Sequence, residues 1–338
     1  MAPSKFQVKE YADHKKPAPA SPSASIILVS PNSEILLLHR VHTSSAFPSA
    51  HVFPGGNLEK SDGALPEDPK DVGRHREGLA YRTGAIRELF EETGILLARA
   101  DKNDKTKGLL SVNDHDRRQG RKAIHDGQVP LSTWLAQQSA DAVLDTDGLI
   151  PFTHWVTPPN VPKRFSTQMY LYFVHVEEAG NPSVHATSDE IETMAPEWRR
   201  AKDWLERARS GEVILFPPQF LLLYLISEIL DVEPRPQTRE EIKARRVALR
   251  RFIQTDGDPA WTDKYISPIG MQVGRPDGRA VLRLDRPGPE LKDSGLKGES
   301  QRVVLVRFRK EGPRDVEVGF WQDVLGNVKS NEPKNSRL

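Results

Sequence analysis

Three glutamates on one predicted helix are the residues best suited to chemistry. Glu88, Glu91 and Glu92 lie within "LAYRTGAIRELFEETGI" (79–95), where apolar residues recur at helical spacing. At positions i, i+3 and i+4 their carboxylates project from the same face of the helix, where like charges are destabilising. A divalent cation such as Mg²⁺ would relieve this repulsion, because hard cations prefer oxygen ligands and are commonly bound with substrate phosphates. The spacing therefore predicts a cation site, and a solvated charged helix is the alternative.

The residues around this helix are of types that would complete such a site. Gly55 and Gly56 end the segment "HVFPGG" (51–56), and without a Cβ their backbone can approach other groups closely. A backbone carbonyl there is a further candidate ligand for the cation. Arg87 directly precedes the first glutamate and is placed to pair with a carboxylate and fix its orientation.

Composition excludes several other classes of function. The chain has 338 residues, 37% of them hydrophobic, a net charge of +1 and no cysteine. The charge gives no general attraction to nucleic acid or anionic membranes, and the lack of cysteine excludes disulfides and thiol catalysis. The most apolar stretch, "FLLLYLISEIL" (220–230), is too short to span a bilayer. We therefore expect neither a nucleic-acid partner nor a membrane span.

Alternating apolar patterns predict the elements that must position the glutamates. Strands are expected in these segments: 23–30, 34–40, 51–56, 149–158 and 167–178, with more β-structure near the end of the chain. Helices are expected at 79–95, 129–138, 194–212, 219–230 and 238–254, and the polar stretch 101–128 predicts one weak helix at most. This order predicts an α+β fold with a mixed sheet and helices packed on it.

The glutamate segment resembles the Nudix hydrolase signature, G-x5-E-x7-R-E-U-x-E-E-x-G-U, in which U is bulky and aliphatic. Residues 87–95 match its second half at every defined position, and Gly56 matches the opening glycine. Asp62 stands where the signature has glutamate, and about 17 residues are inserted within 63–79 by the spacing of the motif. Asp62 or Glu59 is expected to replace the missing glutamate.

An interrupted signature of this kind resembles the peroxisomal coenzyme A diphosphatases of the Nudix superfamily. Three segments carry the resemblance: 35–62, 154–173 and 189–219. It implies a Nudix-type α/β/α sandwich with a mixed central sheet. The implied organisation is a flexible arm (1–21), a Nudix domain (22–232), a helix with a β-rich C-terminal extension (233–330), and a tail with a targeting tripeptide (331–338).

The resemblance also implies the reaction and the roles of residues. It implies metal-dependent hydrolysis of the pyrophosphate bond of CoA or acyl-CoA, giving 3′,5′-ADP and (acyl-)4′-phosphopantetheine, with Mg²⁺ or Mn²⁺. Glu91 and Glu92 would be metal ligands, with Glu88 a ligand or the base and the Gly55 carbonyl a further ligand. For a distal acid acting as base or ligand, Glu190 is the first choice, and Asp189 and Glu192 compete with it.

Substrate contacts and location are less constrained by the motif. Arg40, Arg164 and Gly56 are candidates to contact substrate phosphates, and each arginine is equally typical of a surface charge. The same chemistry on NADH, ADP-ribose or another dinucleotide is an alternative, as is a non-catalytic CoA- or nucleotide-binding module. The final residues Ser336-Arg337-Leu338 are close to the S-K-L peroxisomal address. They predict a contact with the peroxisomal import receptor, and the cytoplasm is the alternative location.

Overall fold

The computed structural model describes residues 18–40, 49–103, 108–178, 186–187, 193–271 and 275–324. Its helices are α1 (Leu79–Thr93), α2 (Asp114–His125), α3 (Leu131–Gln138), α4 (Ala201–Arg209), α5 (Pro217–Leu230) and α6 (Arg239–Thr255). Its first strands are β1 (Ser21–Val29), β2 (Ile35–Arg40), β3 (His51–Val52), β4 (Gly55–Asn57), β5 (Ala98–Arg99), β6 (Val143–Leu144) and β7 (Ile150–Val156). The later strands are β8 (Phe165–Phe173), β9 (Thr193–Arg199), β10 (Tyr265–Ile266), β11 (Ile269–Met271), β12 (Ala280–Leu284), β13 (Glu299–Arg309) and β14 (Gly312–Phe320).

An eight-stranded mixed sheet forms the centre of the fold. Its order is β10-β7-β8-β1-β2-β3, with β4 also paired to β1 and β9 to β2. The central strands β1 and β8 run parallel, and "IILV" (26–29) in β1 is a continuous apolar run of the kind found in strands buried on both faces. Side chains alternate between two hydrophobic cores, with Ile26 and Leu28 in one and Ile27 and Val29 in the other.

Helices α1, α2 and α3 cover the first face of this sheet. The buried stripe of α1, including Tyr81, Ile86 and Phe90, joins one core with Ile26 and Leu28 of β1. The helix ends at Gly94, whose φ of 74° is left-handed and whose N–H donates to the carbonyl of Phe90. The glutamate-bearing helix is therefore fixed by its apolar face.

The opposite face is covered by α4, α5 and α6, and the C-terminal region completes that core. Strand β10 pairs with β7 in the central sheet, and β11 to β14 form a second, four-stranded sheet. Buried residues from this region lie in the same core as Ile27 of β1: Leu249, Ile253, Trp261, Ile266, Leu282, Leu284, Val304, Val306 and Val316. The predicted domain boundary at residue 232 stays a prediction. One hydrophobic core contains residues from both sides of it.

The predicted α+β class, with a mixed sheet between helices and a β-rich C-terminal region, is confirmed. Two predicted segments were wrong. Residues 194–212 are not one helix: β9 pairs with β2, and helix α4 begins only at Ala201. Residues 101–128 hold the twelve-residue helix α2, capped by Asn113, rather than one weak helix at most. Among the described residues, no helix has the length and apolarity needed to cross a membrane.

Candidate active site

The glutamates of α1 face the backbone of the short strand β4. Gly56 pairs with Ala24 of β1, and a Cβ added to Gly56 would lie 2.6 Å from the carboxylate atoms of Glu88. Only glycine leaves room for that carboxylate. The N–H of Gly55 donates to Oε2 of Glu92 at 2.9 Å. The Gly-Gly segment and the glutamates predicted to act together are therefore in direct contact.

Arg87 lies at the centre of this cluster and is buried. Its Nη1 donates to Oε1 of Glu88 at 3.0 Å and to Oε1 of Glu91 at 2.9 Å. Its Nη2 also donates to the carbonyl of Asn57 at 2.8 Å. One guanidinium thus orients two glutamates and attaches them to strand β4.

Asp62 occupies the other side of Arg87. Its two oxygens accept hydrogen bonds from Nε and Nη2 of Arg87 at 2.8 and 2.9 Å. Asp62 ends a single 3-10 turn, and its Oδ2 also accepts from the N–H of Glu59 at 2.8 Å. Asp62 is therefore the acidic partner of the arginine, and Glu59 is largely exposed at this turn.

The segment inserted between Asp62 and α1 is attached to the sheet. Nδ1 of His75 lies 2.9 Å from the hydroxyl of Ser166 on β8, and both residues are fully buried. The hydroxyl of Tyr170 donates to the carboxylate of Glu77 at 3.0 Å. The insertion thus lengthens the connection without breaking the contact between Asp62 and the helix.

Burial and the neighbouring charges shift the pKa of Glu88. Burial raises the pKa of Glu88 to about 7, and the negative charges of Glu91 and Asp62 act in the same direction, while Arg87 opposes them. For Arg87 itself, burial acts to lower the pKa, but its hydrogen bonds with Asp62 and the charge of Glu88 outweigh burial and raise it. The arginine therefore stays charged beside the Glu88 carboxyl.

The donor set suits a hard divalent cation by its chemistry. Glu88, Glu91 and Glu92 offer carboxylate oxygens beside a backbone turn, which are the ligands such cations prefer. In the part of the chain that the structure describes, no three acidic or histidine side chains converge as a ready metal site. The carboxylates of Glu88 and Glu91 point at Arg87 instead, and that of Glu92 points at Gly55. Because each carboxylate oxygen has two lone pairs, a cation would share these carboxylates with Arg87 and with the N–H of Gly55.

The remaining predicted site residues lie elsewhere or outside the described residues. Glu190, Asp189 and Glu192 are outside them. Arg40 ends β2, and its N–H donates to the carbonyl of Ala50 at 2.9 Å. The buried guanidinium of Arg164 pairs with Glu290, with one contact of 2.9 Å, and also donates to backbone carbonyls. A contact between Arg164 and phosphate would require this ion pair to open.

Two residues of α2 that the sequence analysis did not select also contact this cluster. Nδ1 of His125 lies 3.2 Å from Oε2 of Glu91, and the guanidinium of Arg121 donates to the backbone carbonyl of Glu91. Both lie in a polar segment without a hydrophobic stripe. The only signal in the sequence was their separation of four residues, which places them on one helical face.

Parts of the chain are similar in sequence to known proteins. Residues 64–226 match the family model described as the NUDT19 Nudix domain. Nudix hydrolase 7 of Caenorhabditis elegans is 29% identical over 210 residues, covering 62% of this chain and 61% of that protein. The acyl-coenzyme A diphosphatase NUDT19 of Xenopus laevis is 26% identical over 311 residues, covering 80% of this chain and 75% of that protein.

One solved structure is similar to part of the chain. The crystal structure of a Nudix hydrolase from Alicyclobacillus acidocaldarius is 25% identical, with a TM-score of 0.48, covering 61% of this chain and 90% of that one. Residues 64–226, which carry Glu88, Glu91 and Glu92, are therefore similar in sequence to the NUDT19 Nudix domain and to proteins named as Nudix hydrolases and acyl-coenzyme A diphosphatases.

Proposed function

We propose that this protein hydrolyses the pyrophosphate bond of CoA or acyl-CoA, giving 3′,5′-ADP and 4′-phosphopantetheine or its acyl form. The observation that carries the proposal is the set of three glutamates gathered around Arg87 and against the backbone of Gly55 and Gly56. Relatives that bear the name acyl-coenzyme A diphosphatase support the choice of substrate.

Each residue of the cluster has a part in this proposal. Glu91, Glu92 and the Gly55 carbonyl would hold Mg²⁺ or Mn²⁺, with Glu88 as a further ligand or as the base. When bound, such a cation lowers the pKa of coordinated water and neutralises charge on phosphate oxygens. Arg87 keeps two carboxylates in place through its hydrogen bonds, so that little ordering is left for the reaction itself.

The proposed reaction consumes one water molecule. The water oxygen forms a bond with one phosphorus of the pyrophosphate, and the bond between that phosphorus and the bridging oxygen breaks. A base takes the proton of the water, for which Glu190 is the first candidate and Glu88 the second. Arg40, at the end of β2, is the more accessible of the two arginines proposed to contact phosphate, since Arg164 is buried with Glu290.

Two alternative functions would use the same cluster of residues. A dinucleotide such as NADH or ADP-ribose would use the same cluster, because in this proposal the carboxylates would act only at the pyrophosphate. A non-catalytic module would bind CoA or a nucleotide without cleavage. We also propose a peroxisomal location through Ser336-Arg337-Leu338, and a tagged protein lacking these three residues should then move to the cytosol.

The deciding experiment is a substrate panel. Purified protein with Mg²⁺ is incubated with CoA, acetyl-CoA, NADH and ADP-ribose at equal concentrations, and the products are separated by chromatography. We expect 3′,5′-ADP to appear fastest from the CoA species. Faster cleavage of NADH or ADP-ribose would overturn the substrate, and no cleavage with Mg²⁺ or Mn²⁺ would favour the binding module.

A further inference from the structure

Glu91 is held from a second helix as well as from Arg87. Its Oε1 accepts from Arg87 of its own helix at 2.9 Å, while its Oε2 lies 3.2 Å from Nδ1 of His125 on α2. Its backbone carbonyl, near the C-terminal end of α1, accepts from Nε and Nη2 of Arg121 at 3.2 and 2.9 Å. Helix α2 therefore contacts both the main chain and the side chain of this one glutamate.

Close packing keeps α2 at a fixed distance from α1. A Cβ on Gly120 would lie 2.3 Å from the ring of Trp134 on α3, so α2 sits directly on that ring. The ring of Trp134 in turn packs on Phe90 of α1, with 4.9 Å between centroids. Phe90 immediately precedes Glu91. A shift of α2 would therefore also shift the turn of α1 that carries Glu91.

We propose that His125 is a positioning residue for Glu91, acting together with Arg121, which holds the backbone on which Glu91 stands. The inference rests on the proposed function, in which Glu91 is a metal ligand. With Oε1 held by Arg87 and Oε2 by His125, the carboxylate plane has one preferred orientation. Residues that orient a ligand in this way typically change metal affinity or activity by about 10- to 100-fold when they are replaced.

The chain provides matched variants for a test. His125→Leu removes the ring nitrogen, while His125→Asn keeps a side-chain N–H close to the place of Nδ1. His115→Leu is the control, because His115 is an exposed histidine of the same helix. The side chain of His125 is 41% exposed, so we expect all three variants to fold. Far-ultraviolet circular dichroism and thermal unfolding check this.

Two quantities are measured on each protein. The first is the dissociation constant for Mn²⁺ without substrate, from electron paramagnetic resonance of free Mn²⁺. The second is kcat and KM for CoA at saturating Mg²⁺. We expect His125→Leu to weaken Mn²⁺ binding and to lower kcat by about tenfold or more with KM within twofold. His125→Asn should recover most of both losses, and His115→Leu should match the wild type.

The outcomes separate the two proposals. A His125→Leu protein with the Mn²⁺ affinity of the wild type overturns the positioning role, whatever its kcat, and so does a His125→Asn protein as impaired as His125→Leu. Wild-type protein that binds Mn²⁺ but does not cleave CoA overturns the proposed function and leaves the Mn²⁺ comparison decisive for His125. Wild-type protein that binds no Mn²⁺ overturns both.

Discussion

Arg87 and Asp62 form a buried ion pair in which both carboxylate oxygens meet the guanidinium, at 2.8 and 2.9 Å. They are separated by 25 residues of chain, most of which belong to the inserted segment. The side chains are 2% and 1% exposed, so water does not screen the pair. The two ends of the interrupted signature are therefore joined through this contact.

Removing the charge of Asp62 should destabilise the whole fold. In Asp62→Asn the buried guanidinium loses its charged bidentate partner but keeps Glu88 and Glu91, so we expect a cost of about 1–3 kcal/mol of unfolding free energy. Urea unfolding followed by circular dichroism measures this. Glu177→Gln is the control, because Glu177 pairs with Lys243 on the surface and should change stability little. An Asp62→Asn protein as stable as this control would contradict the prediction.

A methyl group at Gly56 should reduce activity without unfolding the protein. The added Cβ of Gly56→Ala would lie 2.6 Å from the Glu88 carboxylate and must displace it. A displacement of about 1 Å in a catalytic group can lower the rate on the order of a hundredfold. The hydrolysis rate for CoA is compared with that of Gly78→Ala, where a Cβ meets nothing within 4 Å. Equal rates of CoA hydrolysis in the two variants would show that hydrolysis does not depend on the position of the Glu88 carboxylate in the structure.

Neutralising a proposed ligand should abolish most activity while the helix remains. Glu91→Gln and Glu92→Gln each keep the size of the side chain, and we expect kcat to fall by about a hundredfold or more, as for a lost electrostatic catalyst. Steady-state kinetics with CoA over a range of Mg²⁺ concentrations measure this. Glu228→Gln, an exposed site on α5, is the control. Near wild-type kcat in either variant would remove that residue from the metal site.

Acid should destabilise the protein because His154 on β7 is buried and its pKa is lowered in the folded protein. Burial lowers the pKa of His154 to about 3, and its Nε2 lies 2.7 Å from the hydroxyl of Ser166. The unfolded chain binds a proton near pH 6.5 and the folded chain does not, so stability is full above pH 6.5 and falls as the pH drops toward 3. The slope from this group is about 1.4 kcal/mol per pH unit.

Unfolding free energies at pH 7.5, 6.0 and 5.0 test this prediction. His154→Gln should flatten the acid side of the curve by roughly that slope, while the exposed His115→Gln should not alter it. A wild-type slope in His154→Gln would show that His154 is protonated in the folded protein.

The glutamate helix was predictable because its apolar stripe, the glycine at its end and its charges all indicate one structure. The pairing of Asp62 with Arg87 was not predictable, because the inserted residues leave the distance between these two side chains undetermined in the sequence. Residues 194–199 include the helix formers Met194, Ala195 and Glu197 but also Pro196, which disfavours a helix interior, and they pair with β2 as a strand. Helix α2 was underestimated because its buried side chains include Arg117 and Arg121, which hydropathy patterns count as surface.

The shared core has a consequence for how the protein is made. Ile27 of β1 and Val316 of β14 lie in one core, so strands that are far apart in the chain must meet. A ribosome adding about 5–20 residues per second needs roughly 15–60 s to cover that distance. For all of that time the second face of the central sheet lacks part of its cover. The nascent chain is therefore expected to depend on chaperones until β14 emerges.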